Sequence, residues 1–476
     1  MKVRQRGQAA YLAPVKWLFL TLLCWVTPGL RAQFVVIDSI ALLGNAKTRR
    51  ATILRELDVH RGDTLRLDTL PARLRRNEEL LMNTGLFNRV KFNLKNWDTT
   101  TARGTLVAEL EEGWYLFPVP IFSLADRNFN VWWEAFDASL DRVNYGLNLY
   151  HSNPTGRRDP LSASVQFGFT QRYRLEYERP FIDRKQVVGL VAVLEYNRQR
   201  ELNYATLAGS QAFFRGEERI LLRRTKAEVG FRYRPRLLDF QEIRLGFHQR
   251  RIDGQVRTEL NPNYLGGAER LRYFSLAYIS EGNYTNIQPY PTKGYAWKAQ
   301  LEKRGLGLFD EANQFFLSGR YGHYFSWDKK SSVELIGAGR YQFTRRFQPY
   351  ILRRGLGYND DYLRGYELYV IDGQDYLYGK FSFRYELLNR DFNLGKLMLI
   401  EQFRRLPVKL YAKFNNDLGY VWDNFATPDN FLANELLWGY GPALDIVVYY
   451  SYVFQIEYSY NRLGEKGIYL HFGAAF

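Results

Sequence analysis

KFSFRYELL, running from Lys380 to Leu388, reads as one strand with two unlike walls. Phe381, Phe383, Tyr385 and Leu387 take one side, and Lys380, Ser382, Arg384 and Glu386 take the other. Successive side chains of a strand point to opposite faces, so one wall is apolar and the other charged. EVGFRYRP (Glu228–Pro235) repeats the pattern, with Val229, Phe231 and Tyr233 against Gly230, Arg232 and Arg234. EIRLGFHQR (Glu242–Arg250) does so again, with Ile243, Leu245 and Phe247 against Arg244, Gly246 and His248. In a soluble sandwich these arginines would face water around a modest core. In a membrane barrel the apolar wall meets lipid and the charged wall faces inward.

Composition points the same way. The chain has 35 Tyr, 33 Phe and 10 Trp, so aromatics make up 16% of 476 residues. Mean hydropathy is nevertheless −0.38. After the N-terminal segment no run of 18 apolar residues occurs, which excludes a transmembrane helix. An aromatic-rich, moderately polar chain without apolar runs fits strands that show lipid every second side chain.

The N-terminus reads as a secretory signal over residues 1–32. Lys2, Arg4, Arg6 and Lys16 precede the apolar run WLFLTLLCWV, and GLRA offers cleavage after Ala32. The single cysteine, Cys24, follows Leu23, where a lipidation site needs a small residue. Cleavage would leave 61 of the 66 Lys and Arg, five lying before Gln33, against 50 Asp and Glu, a net +11. In a secreted chain this balance suits anionic lipid headgroups rather than nucleic acid.

Alternating segments recur near 115–122, 143–152, 161–170, 172–180, 187–198, 221–234, 241–252, 271–281, 294–304, 313–325, 331–343, 376–388, 408–417, 438–449, 451–461 and 467–476. That makes sixteen, an even number as an antiparallel barrel of this kind uses. Segment 204–214 is assigned to a loop, because sixteen strands leave both ends on one side. Long connections near 123–142, 199–220, 253–270, 344–375 and 418–437 then share the outer side. The connection 389–407 breaks the rule, being long on the inner side.

Residues 33–113 have a different period. FVVIDSIALLGN reads as a strand, and AKTRRATILREL as a helix with Thr48 as N-cap. LDTLPARLRRNEELLMNTG reads as a second helix stopped at Gly85, and LFNRVKFNL and GTLVAELEE as two strands. This β-α-α-β-β order makes a two-layer α+β unit. GNAKTRRATILREL, LLMNTGLFNRVKF and the closing ELEEGW resemble a POTRA domain, the periplasmic module of outer-membrane assembly and secretion barrels. One copy is present, before a barrel expected over residues 114–476.

LRGY (Leu363, Arg364, Gly365, Tyr366) lies in the long connection before the twelfth strand. It resembles the RG-aromatic motif in the sixth outer loop of the BamA/TamA family of outer-membrane assembly barrels and their two-partner secretion relatives. The resemblance implies a loop folded back into the barrel, with Arg364 against inward-facing acids. KFNNDLGYVWD (Lys413–Asp423) resembles the family's strand-13 motif at Asp417 and Gly419, with Asn415 standing where Phe or Gly is usual. Alternation points Asp417 and, on the twelfth strand, Glu386 inward, so both are expected partners of Arg364. The chain end, GIYLHFGAAF, with Phe472 and Phe476, resembles the C-terminal signal of outer-membrane proteins.

His60, His151, His248, His323 and His471 show no metal-binding spacing, and no nucleophile elbow, phosphate loop or zinc-protease motif occurs. No cofactor, metal or enzymatic activity is expected. The resemblance implies an outer-membrane barrel, with its POTRA domain in the periplasm, that inserts or translocates proteins. Its partners would be unfolded outer-membrane or secreted clients, the lipid bilayer and periplasmic or lipoprotein accessory subunits. The first strand carries Pro118 and Pro120, which lack N–H donors, and its seam with the last strand is expected to be a lateral gate. The alternatives are a passive, porin-like transport barrel and a non-catalytic scaffold subunit.

Overall fold

The computed structural model describes residues 34–474 except 99, 125–128, 217–218, 288–289, 310, 359–360, 396–404 and 450–451. The expected signal segment and Phe476 lie outside the described residues. By packing, the chain divides into two compact units.

The first unit holds Phe34–Leu43, Val59–Glu78 and Lys91–Glu109. Its sheet is built on β1 (Phe34–Leu43), β2 (Thr64–Arg66), β3 (Phe87–Asp98) and β4 (Arg103–Glu112), in the order β2-β1-β4-β3. β1 runs parallel to β4, with Ile40 opposite Leu106 and Leu42 opposite Ala108. Val35, Ile37, Leu106 and Ala108 are fully buried, so the alternation read from sequence is the core face. β2 is a short strand between the helices that the sequence reading lacked. With three residues it is too brief to show a period.

The second unit begins with Gly44–Asp58, takes in Glu79–Val90 and continues from Leu110. It contains helix α1 (Arg50–Arg55). Thr48 does not cap this helix: Arg49 is the N-cap, and its side chain makes no capping hydrogen bond. The Thr48 hydroxyl instead lies 2.9 Å from the Tyr115 hydroxyl, and its N–H donates to Glu112. Helix α2 (Leu70–Met82) ends just before Gly85, whose φ of 71° turns the chain toward β3.

The rest of this unit is a sixteen-stranded antiparallel sheet in sequence order, with each strand beside the next. All sixteen expected segments are in it, from the first (Leu116–Leu124) to the sixteenth (Lys466–Ala474). Segment 204–214 falls in a separate hairpin, Glu201–Leu207 against Ser210–Arg215. Phe231, Ile243, Leu245 and Leu387 are about half exposed on the outer wall, whereas Lys380, Ser382 and Arg384 are buried inside. Such an outer wall suits lipid. No helix among the described residues is long and apolar enough to cross a membrane. After the first strand, the helix Phe129–Ala135 lies against the sixteenth strand, where Asn130 Nδ2 donates to Ile468 O at 2.6 Å.

The described ends of the expected inner connection 389–407 are strand at 389–393 and 405–407. The twelfth strand runs Asp375–Asn393 and the thirteenth Arg405–Trp422, still paired at Asn393 and Arg405. The eleventh strand leaves the twelfth at Tyr385, and the fourteenth meets the thirteenth only from Val408. Residues 387–393 are exposed throughout. With no buried wall, their sequence carries no alternation.

Candidate functional site

The thirteenth, fourteenth (Leu436–Val448) and fifteenth (Tyr452–Asn461) strands build a seat on the inner wall. Their register places Asp417 beside Gly439, and Lys413 beside Ala443, itself beside Glu457. A side chain on Gly439 would overlap the Arg364 carbonyl, so the missing Cβ lets the loop backbone reach the wall next to Asp417. Gly419 likewise leaves room for the Leu363 side chain.

The loop between the eleventh (Ser331–Gln342) and twelfth strands fills this seat. Arg364 Nη1 donates to Asp417 Oδ1 at 2.7 Å, and the Arg364 backbone N–H donates to Asp417 Oδ2 at 3.1 Å. One carboxylate therefore holds both the side chain and the backbone. A second acid, Glu457, lies 3.3 Å from Arg364 Nε. The side chains of Arg364, Asp417 and Glu457 are 7%, 0% and 1% exposed, so water screens these charges weakly. Gly365 adopts φ of 81°, and a Cβ there would come within 2.8 Å of Tyr460 O. Its carbonyl accepts from Asn461 Nδ2 at 2.7 Å. The Tyr366 hydroxyl accepts from the Trp438 and Arg462 backbone N–H groups at 3.2 and 3.3 Å. Leu363 and Tyr366 are buried in a cluster with Ile336, Tyr378, Val421 and Leu437. Burying a leucine side chain contributes about 1.5–3 kcal/mol.

At the base of the loop one cation gathers three carbonyls. Arg340 donates to the carbonyls of Gln374, Arg354 and Gly373 at 3.1, 2.7 and 2.7 Å. Below the tip, Lys413 lies 3.2 Å from Asp445 and 3.8 Å from Glu457, and Arg384 pairs with Glu334. Such groups stay buried because each charge meets an opposite one.

Glu386 is not brought to Arg364. It accepts from Tyr411 at 3.0 Å and lies near Asn389. Lys380, not Glu386, pairs with Asp417 across the two strands. Six residues along a strand is about 20 Å, which puts Glu386 at the wrong level on the right wall. Glu457 takes the second place, on a strand the sequence reading did not use. Its signal was an acid at an inward position of a strand, EYSY, which becomes informative once the register is known. Asn415 explains its own departure from the family pattern. It accepts from Ser382 at 2.8 Å and donates to Glu457 Oε1 at 3.3 Å, orienting the second acid.

Two further residues close the site. Glu367 follows Tyr366, and His471 lies on the sixteenth strand, stacked on Tyr362 with ring centroids 4.9 Å apart. His471 Nε2 is 3.6 Å from Glu367 and 3.7 Å from Glu457.

The seam has a different character. Ser152 N donates to Tyr115 O, and the pairing continues without a slip from Leu116–His151 to Leu124–Val143. Odd-numbered residues of the first strand thus bond the second strand, and even-numbered ones point to the opposite edge. Pro118 and Pro120 both lie on that opposite edge, which lacks their two donors. Among the described residues no ladder joins the first and sixteenth strands. Phe472 packs outside the seat, on Phe454 of the fifteenth strand, with centroids 4.7 Å apart.

Residues 35–113 match the POTRA family, described as a surface antigen variable number repeat. They are a POTRA domain. Over the whole chain the fold is similar to that of BamA from Haemophilus ducreyi, solved without its POTRA domains 1–3. Identity is 15% and the TM-score 0.54, over 93% of this chain and 85% of that one. CdiB from Escherichia coli aligns over 98% of this chain and 100% of its own, at 10% identity and a TM-score of 0.50. Comparison with curated protein sequences gives no significant match. A POTRA domain followed by a sixteen-stranded barrel is the BamA-like arrangement, and at these identities the likeness speaks for the fold.

Proposed function

We propose that this protein inserts or translocates polypeptides at the bacterial outer membrane. The POTRA domain would receive an unfolded client in the periplasm and the seam between the first and last strands would act as a lateral gate. The carrying observation is the edge of the first strand. Two of its outward-pointing donors are replaced by Pro118 and Pro120, while the neighbouring ladder to the second strand is unbroken. A donor-poor edge is the place where a barrel opens at least cost, and the edge of the sixteenth strand that opening would free is where an incoming strand would pair. The BamA-like fold and the resemblance of LRGY and its strand-13 partner motif support the same reading. The pinned loop supports it further, because a barrel partly filled by its own loop is poorly suited to passive diffusion.

Phe122, paired with the outward Tyr145, and Ile468 show their side chains on the outer wall of the first and last strands. In a Phe122→Cys/Ile468→Cys double variant, oxidation is expected to abolish client insertion and reduction to restore it. Full activity with the disulfide formed would refute the gate. Depletion followed by outer-membrane proteomics reads the function itself. Loss of many barrel proteins indicates general assembly, and loss of one or two a dedicated client. No change would remove the proposal in favour of a scaffold or transport role. Steady, large conductance in planar bilayers, insensitive to deletion of the POTRA domain, would favour passive transport.

A further inference from the structure

We propose that Glu367, Glu457 and His471 form a binding site for a divalent transition metal, zinc fitting best, which fastens the inward-folded loop to the last strand. The three come from separate parts of the chain: the loop after Tyr366, the fifteenth strand and the sixteenth strand. The register explains their meeting. Glu457 pairs with Tyr469, so His471 is its diagonal neighbour on the inner wall. The loop tip, pinned by Arg364, then delivers Glu367 above both.

The geometry is close to that of a metal site. Zinc binds imidazole nitrogen and carboxylate oxygen at about 2.0–2.2 Å in a tetrahedron, which separates neighbouring ligand atoms by about 3.4 Å. His471 Nε2 stands 3.6 Å from Glu367 Oε1 and 3.7 Å from Glu457 Oε2, and one ligand atom from each residue fits within 4.8 Å of the others. Small side-chain rotations close the remainder. Three protein ligands leave a fourth position for water. An imidazole among the ligands favours zinc and its transition-metal neighbours over magnesium or calcium, which take oxygen.

An independent observation points into the same space. His471 Nε2 and Glu457 Oε2 are buried and make no hydrogen bond, although the Glu457 side chain is 1% exposed. A buried polar atom without a partner is costly, and a cation between these atoms would satisfy them together. The other oxygen of Glu457 is already engaged by Asn415 and Arg364. That arrangement aims Oε2 at His471 and fixes the carboxylate as a supporting shell does for a metal ligand.

The consequence is mechanical. The metal would tie the loop to the strand that forms one side of the seam, so that release of the loop and movement of the last strand become linked. The site stands on its geometry and does not depend on what the barrel carries.

The full-length protein, refolded in detergent and stripped with a chelator, is titrated with zinc by calorimetry at pH 7.5. Cobalt is used in parallel for its tetrahedral absorption bands. One ion per chain is expected, with affinity at least tenfold weaker in His471→Gln and in Glu367→Gln. Gel mobility before and after heating shows that each variant is a folded barrel. Zinc is also expected to slow protease cleavage within 361–370 several-fold in the wild type and not in His471→Gln. Absence of binding, or binding unchanged in folded His471→Gln, overturns the proposal. The second result would place the ion elsewhere, for example on the exposed His60.

Discussion

The seat of the loop and the seam of the barrel lie on neighbouring strands and are built in opposite ways. At the seat, a buried arginine meets two buried carboxylates, a backbone N–H shares one of them, and glycines bring main chain against main chain. At the seam, two prolines remove donors from an edge, and both are exposed. The fifteenth strand serves the first region through Glu457 and Asn461, and the sixteenth serves both, His471 facing the seat and Phe472 facing outward. The difference teaches that the fixed part and the yielding part of this barrel are separated by the two faces of a single strand. A change at the seat is therefore felt at the seam only through the last strand.

The largest test of this contrast removes the pin. Arg364→Ala leaves Asp417 and Glu457 buried with one positive partner fewer, and breaking such a pair costs about 3–5 kcal/mol. The loop is expected to leave its seat and new protease cleavage to appear near 361–370. If the loop stays protected, the apolar contacts of Leu363 and Tyr366 hold it and the ionic pin is secondary. Arg364→Lys sharpens the result. It restores charge without the planar fork, and rescue should be partial.

A second buried carboxylate bound by arginines lies away from the seat. Glu56 accepts from Arg234 Nη1 and Nη2 at 2.9 and 2.7 Å and lies 3.4 Å from Arg158. Burial alone would raise its pKa, but Arg158, Arg234 and Arg55 outweigh this and hold the carboxyl well below the usual range. Its contribution to stability is therefore complete above the unfolded value, about 4.3, and is lost as pH falls through the depressed folded value. Glu56→Gln is expected to cost about 3–5 kcal/mol near neutral pH, and less as the medium becomes strongly acidic. Urea unfolding at several pH values checks this. An equal cost at every pH would mean that the arginines recognise the shape of the group and not its charge.

The seam is tested by adding what it lacks. Pro118→Val and Pro120→Val return two N–H donors to the first strand's edge away from the second strand. Each new bond is worth about 0.5–1.5 kcal/mol. The double variant is expected to raise the temperature at which the barrel loses its folded gel mobility and to slow client insertion. Higher stability with unchanged insertion would separate the edge from the gate.

Much of this contrast was legible in the sequence. A wall facing lipid and a wall facing inward impose a period of two, so the sixteen strands could be counted. LRGY stood in the longest of the expected outer connections, 344–375, and Asp417 lay inward by the same alternation. Two classes of feature were not legible. Strand extensions beyond the barrel wall, such as 387–393, have solvent on both faces and lose the period. Partners that depend on register, such as Glu457, His471 and Asn415, share a wall with other polar residues. Alternation states the wall and is silent on the level.

Glu386 gives the smallest and most discriminating prediction. It shares the inner wall with the seat and pairs with Tyr411 across the strands, while Asp417 pairs with Lys380. Glu386→Ala removes a partly exposed acceptor from Tyr411, an interaction worth about 1 kcal/mol or less. Loop protection near 361–370 should be unchanged, and any effect should fall on the extended hairpin that begins just below. Asp417→Ala, on the same wall but at the level of Arg364, should expose the loop as Arg364→Ala does. The double variant Arg364→Ala/Asp417→Ala should then cost less than the two single changes together, because two charges that need each other are removed at once. If Glu386→Ala also releases the loop, the level argument fails and the whole inner wall acts as one electrostatic field.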